Sequence, residues 1–285
     1  MPFFLTCLLS LWIGLIQPAL ATDFSASQTD ICETLKKAPV VYLGEIHDFP
    51  ADHEAELTLL QSLYANNQNV ALGFEMFQRP FQPYLVRYLA DEMTEAELHE
   101  LTEYDTRWGF DWEYYAPLLR FAKAHHIPLL ALNTPSEIIN KVATEGLDSL
   151  NKQDYRYIPQ RADLDFSNQD YLDEIEESFL AHIEGDYGNQ AVKLENFTAA
   201  QILWDETMAE AIADYLHSNP DQQVIALVGQ AHIAKNYGIP DRVARRIPEI
   251  KDAQKTVFLS SDNAPSDLKE VNFIWNVASA EETLE

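Results

Sequence analysis

The sequence predicts an α/β protein with a mainly parallel sheet flanked by helices and a helical cap inserted late in the chain. Three observations predict it. Four short apolar runs of strand length recur along the chain, helical patterns separate them, and each run stops at polar residues or glycine. Continuous apolar runs of this kind mark strands buried on both faces, and their alternation with helices calls for parallel crossovers.

The first run, Val40 to Leu43, leads into Gly44-Glu45-Ile46-His47. The helical pattern after it spans Asp52 to Tyr64, with Leu57, Leu60 and Tyr64 on one stripe and His53 a turn earlier. The second run, Val70 to Phe74, ends at Glu75. Asp111 to His125 is aromatic and apolar at helical spacing, with Asp111 as its cap and Pro117 as a late start or kink. The third run, Ile127 to Leu132, meets Asn133-Thr134-Pro135. From about Asn151 to Glu195 the rhythm breaks into an acidic, Tyr-rich stretch, read as a cap with a helix over Tyr171 to Ile183 and a turn at 184–189. Leu194 to Leu216 is helical, with Phe197, Trp204, Met208, Ile212 and Tyr215 on one face. The fourth run, Val224 to Val228, reaches Gly229-Gln230-Ala231-His232, and Thr256–Leu259 and Val271–Trp275 are weaker late strands.

Composition narrows the function classes. Lys and Arg number 19 against 46 Asp and Glu, a formal net charge of −27. That excess of carboxylates argues against nucleic-acid binding and against docking on anionic lipid. Residues 1–21 carry no charged side chain, and their apolar run ends in Ala19-Leu20-Ala21. They are expected to be a signal peptide cleaved before Thr22, leaving a single α/β domain over 22–285 in the periplasm or secreted. Cys7 lies inside the run and Cys32 well past it, so no lipid anchor is expected, and Cys32 alone forms no internal disulfide.

The chemistry gathers at the strand ends, where ligands of open parallel sheets sit. The first strand delivers Glu45, His47 and Asp48, the second Glu75, the third Asn133, and the fourth Gln230 and His232. Two uses suit Glu45, His47, Glu75 and His232. They are the ligands of a divalent metal with an open position, or paired carboxylates with a histidine proton shuttle. Helix capping or pairing with Arg79 and Arg242 is the structural alternative for the glutamates. Trp108 and Trp112 are read as core aromatics. No GxGxxG, Walker loop, GxSxG or HExxH occurs.

Seven ordered blocks resemble the ChaN-like haem-binding family, within a superfamily that includes the Tiki proteases and erythromycin-esterase-like proteins. They are Gly44-Glu45-Ile46-His47-Asp48 with His53, Gly73-Phe74-Glu75-Met76-Phe77 with Arg79 and Gln82, and Trp112 with Tyr115-Ala116-Pro117. Then come Ile127-Pro128, Leu132-Asn133-Thr134-Pro135, Gln201 with Trp204 to Ala209, and Gly229-Gln230-Ala231-His232 with Gly238-Ile239-Pro240 and Arg242. The resemblance covers about residues 38–245. It implies a protein linked to iron uptake that holds ferric haem through a Tyr ligand, with a homodimer and a haem-uptake receptor as partners. The candidates for that role are Tyr84 and Tyr187 as ligands, with His53, His182, Arg79 and Arg242 near the propionates. The metal-dependent hydrolase at the strand ends is the alternative.

Overall fold

The computed structural model describes residues 27–184, 192–260 and 271–277. The expected signal peptide, Tyr187 and the turn after residue 184 lie outside these residues, as does the side chain of His182. Six strands form one parallel sheet: β1 (Val40–Glu45), β2 (Val70–Gln78), β3 (Leu129–Asn133), β4 (Gln223–Gly229), β5 (Lys255–Ser260) and β6 (Phe273–Asn276), in the order β3-β2-β4-β1-β5-β6. Both weaker late-strand candidates are therefore strands. Strands β1 to β4 are buried along their whole length, as apolar strands covered on both faces must be.

The helices are α1 (Gln28–Leu35), α2 (Pro50–Asn66), α3 (Gln82–Leu89), α4 (Glu95–Leu101), α5 (Tyr104–Arg107), α6 (Trp112–Ala124), α7 (Ser136–Glu145), α8 (Gln169–Glu184), α9 (Leu194–Ser218) and α10 (Ile239–Arg246). On one face of the sheet, Val41, Leu43, Leu72, Phe74 and Leu227 pack against α2 and α6 through Leu59, Leu63, Tyr115 and Leu119. On the other, Val40, Tyr42, Ala226 and Val228 pack against α9 and α10 through Met208, Ile212 and Val243. A third cluster joins α7 and α8 to α9 through Val142, Ile175 and Leu203, and this is how the cap seats on the sheet's helical layer.

Two helices differ from the simple stripe. In α2 the buried face runs Asp52, His53, Glu56, Leu59, Leu60 and Leu63, and Leu57 is only partly covered. The inward stripe continues as carboxylates where hydropathy places solvent. Helix α9 is buried on more than one side at its centre, including Asp205 and Glu206, because it is sandwiched between the sheet and α7, α8 and α10. Helix α6 starts at the Asp111 cap, whose side chain accepts the Glu113 N–H (2.9 Å), and it continues through Pro117.

Register brings the polar strand ends to one edge. Glu45 is level with Gly229 across the β1–β4 pair, and Phe74 with Leu227 across β2–β4. An irregularity between Phe74 and Gln78 breaks the β2–β3 ladder at that edge, where strands re-aim side chains. At the sheet's open side, the Gln82 amide donates to the Leu129 carbonyl and accepts the Ala131 N–H, both at 2.8 Å.

Candidate functional site at the carboxyl edge of the sheet

Because successive strand residues point to opposite faces, Glu45 and Glu75 leave the sheet on different sides. Glu45 turns toward α2 and α6. Its Oε1 accepts from Tyr115 Oη and from His47 Nδ1, each at 2.6 Å. Its Oε2 lies 3.4 Å from His53 Nδ1, and His53 in turn is 3.1 Å from Glu56 Oε2. His53 is sandwiched, stacked on Tyr114 (4.7 Å) with Tyr115 edge-on, and is 5% exposed. Asp52 Oδ2 accepts the Ile46 N–H (2.8 Å).

Glu75 turns toward α9. Its Oε2 accepts the Gly229 N–H (2.7 Å), and its Oε1 lies 3.2 Å from His232 Nε2. His232 Nδ1 reaches Asp205 Oδ1 at 2.5 Å, and the Tyr171 hydroxyl donates to the other oxygen of Asp205. His47 sits between the two halves, partly exposed, with Trp108 edge-on at 4.6 Å and Phe110 at 5.2 Å. A Cβ at Gly229 would stand 3.0 Å from His47 Cε1 and Nε2, so the absent side chain is what lets the imidazole lie over β4.

The electrostatics follow from this wiring. Burial alone would raise Glu75, but His232, with His47 and the Gly229 N–H, outweighs it and holds the carboxyl at about 2. Burial would lower His232, but Glu75 and Asp205 keep it well above the ordinary imidazole value. Both of its ring nitrogens face carboxylates, which is the geometry of an imidazolium. His47 is also raised: burial works against its charge, but the hydrogen bond to Glu45 and the nearby Glu75 outweigh it. Glu45 is lowered despite burial, chiefly by His47. Burial pushes Asp52 up to about 7 and Glu56 well above the carboxylate range, each also raised by Glu45.

The four strand-end residues are thus brought to one edge as two pairs, Glu45 with His47 and Glu75 with His232. Among the described residues, the metal-ligating side chains whose ligand atoms lie within 4.8 Å of one another are Glu45, His53 and Glu56. Sequence reasoning did not single out Glu56, Asp205 or Tyr115 as site residues. The available signal was spacing, since Asp52, His53 and Glu56 share one face of α2.

The other candidates are dispersed. Arg242 is buried, donates to the Tyr237 carbonyl (2.6 Å), and stacks over Tyr171 (4.6 Å). Arg79 pairs with Glu210 and Asp214, and the Tyr84 ring stacks on Phe81 at 6.1 Å. Arg79 does line a groove of about 700 Å³ beside the open edge of β3, with Val86, Leu130, Arg156, Tyr157 and Tyr215. The Tyr215 hydroxyl is taken by Gln222. Tyr157 is half-buried with the Arg156 guanidinium 5.2 Å from its ring centre.

Fold and edge together define a parallel α/β protein with histidine–carboxylate pairs at the carboxyl end of its sheet. The chain belongs to the family described as haem-binding uptake, Tiki superfamily, ChaN, whose pattern matches residues 31–243. The fold is similar to that of ChaN of Campylobacter jejuni, a structure described for cofacial haem binding: TM-score 0.68, 18% identity, 89% of this chain and 93% of that one. An erythromycin esterase, EreC, is more distant, with TM-score 0.49 and 13% identity over 85% of this chain and 77% of that one. The chloroplastic protein RETICULATA-RELATED 5 of Arabidopsis thaliana is 24% identical over 272 residues, 87% of this chain. The match takes in 35% of the Arabidopsis protein, so the chain spans about a third of that relative's length.

Proposed function

We propose that this protein binds ferric haem in the groove beside β3, with the Tyr157 phenolate as the iron ligand and Arg79 and Arg156 at the propionates. The observation that carries this reading is the groove's composition. It joins an apolar wall, the guanidinium groups of Arg79 and Arg156 and a half-buried phenol, with Arg79 held by Glu210 and by Asp214 at the rim. Haem needs an apolar slot for its ring and cations for its acid groups, and the groove's volume falls within the roughly 300–1,000 Å³ of cofactor pockets. Family membership and the haem named for the Campylobacter ChaN support haem as the ligand. The Arg156 guanidinium lies 5.2 Å from the centre of the Tyr157 ring, which places a cation next to the proposed ligand. Tyr84 is the weaker candidate because its ring packs on Phe81.

The proposal extends to an exported protein, periplasmic or secreted, that serves iron uptake. Two copies apposed over their grooves would cover the exposed haem edge, and a haem-uptake receptor would take the cargo. The test is a ferric-haem titration of the chain from Thr22, followed at the Soret band. Saturable binding that Tyr157→Phe abolishes and Tyr84→Phe retains is expected. Binding indifferent to Tyr157→Phe would remove this groove from the reading.

A hydrolytic function at the strand ends is the second reading, favoured by one specific arrangement. His47 is partly exposed and its Nδ1–H is held by Glu45, as a general base is oriented by a carboxylate. Ester or peptide hydrolysis that disappears in His47→Gln, with folding intact, is the result it requires.

A further inference from the structure

The buried group beneath His47 has an excess of acceptors. The His47 carbonyl can only accept, so the 3.2 Å contact with His53 Nε2 places the imidazole proton on Nε2. The Nδ1 of a neutral His53 then presents a lone pair, not a donor. It faces Glu56 Oε2 at 3.1 Å and Glu45 Oε2 at 3.4 Å. Glu45 Oε2, Glu56 Oε1 and Asp52 Oδ1 are all buried without a hydrogen-bond donor. Glu45 is 2% exposed, and Asp52 and Glu56 are 0%. Unpaired buried carboxylates are costly, and buried charges are paired or coordinate metals.

We propose that Glu45, His53 and Glu56 form a site for one divalent transition-metal ion such as Zn²⁺ or Mn²⁺, buried between β1 and α2. A tetrahedral shell with bonds of about 2.1 Å spaces its ligand atoms about 3.4 Å apart, close to the 3.1 and 3.4 Å between His53 Nδ1 and the two glutamate oxygens, and all three ligand atoms lie within 4.8 Å of one another. The His53 Nε2–H bond to a backbone carbonyl is the outer contact that metal-bound histidines make almost without exception. Asp52, fully buried, adds a further carboxyl group beside the site. The ion's role is structural. It neutralises the cluster and fixes Glu45, whose other oxygen orients His47. The site is independent of the haem groove and stands or falls without it. It also differs from a metal centre on Glu45, His47, Glu75 and His232.

The test uses the full chain, stripped by chelator and titrated with Zn²⁺ and Mn²⁺, with metal content and melting temperature read together. One retained equivalent is expected, and a melting temperature that rises by several degrees at about 100-fold excess of ion over its Kd. Glu56→Gln should lose both the ion and the shift, whereas His232→Gln should keep both. Retention by Glu56→Gln with loss in His232→Gln would overturn the assignment. So would a wild-type chain that holds no ion and does not respond to added metal, since a proton shared between Glu45 and Glu56 would then account for the pair. The wild-type titration decides the matter even if Glu56→Gln fails to fold.

Discussion

Replacing Glu75 with glutamine probes the best-defined electrostatic element of the edge. Glu75 bridges two strands and a turn: Oε2 accepts the Gly229 N–H at 2.7 Å, and Oε1 meets His232 at 3.2 Å. A carboxyl held at about 2, against an ordinary 4.5, contributes about 3 kcal/mol to folding at neutral pH. The group is buried, so solvent screening takes little from that figure. Breaking a buried pair typically costs about 3–5 kcal/mol, which agrees. Because the folded pKa is depressed, the stabilisation is complete above pH 4.5 and is lost as pH falls toward 2. The assay is urea denaturation of wild type and Glu75→Gln at several pH values. The gap should be about 3 kcal/mol at pH 7, equivalent to roughly 6 °C in melting temperature, and about half that near pH 3. A gap below about 1 kcal/mol at pH 7, or one constant from pH 7 to 3, would refute the reasoning.

Three further perturbations follow from the same wiring. Glu206 is buried against Arg242, Arg245 and Arg246, so Glu206→Ala should cost about 3–5 kcal/mol in denaturant titrations and leave three cations crowded. A Cβ at Gly238 would stand 2.2 Å from the His232 carbonyl oxygen and 2.9 Å from Asp205 Oδ2. Gly238→Ala should therefore cost about 3 kcal/mol and shift the His232 ring resonances in NMR spectra. Tyr115→Phe deletes one of two donors to Glu45 Oε1, and a loss of about 1–3 kcal/mol by thermal melting is expected.

The parallel sheet was legible because buried strands leave contiguous apolar runs, and four such runs stop where Glu45, Glu75, Asn133 and Gly229 stand. That their ends meet at one edge follows from parallel direction, which the alternation with helices implies. What hydropathy hides is a polar residue facing inward. Asp52 and Glu56 occupy the same face of α2 as Leu59 and Leu63, but their charge assigns them to solvent in any amphipathic reading. Asp205 and Glu206 are hidden in α9 for the same reason. Helices α3 and α4 escaped notice because they are short, with seven or eight residues each, too few for a periodic signal. The groove beside β3 is assembled from four separate stretches of chain, and nothing local in the sequence joins Arg79 to Tyr157.

The side chain of Gln82 bears on how copies of the protein meet. By pairing with both the Leu129 carbonyl and the Ala131 N–H, one amide occupies the two main-chain positions through which a foreign strand would zip onto the sheet. An incoming polypeptide must first evict it, whereas a flat ligand resting on Leu130 and Val86 need not. At Leu129 and Ala131 the β3 edge is thus capped from within the chain by one glutamine, as a solvent-facing strand edge that must not recruit neighbours is capped.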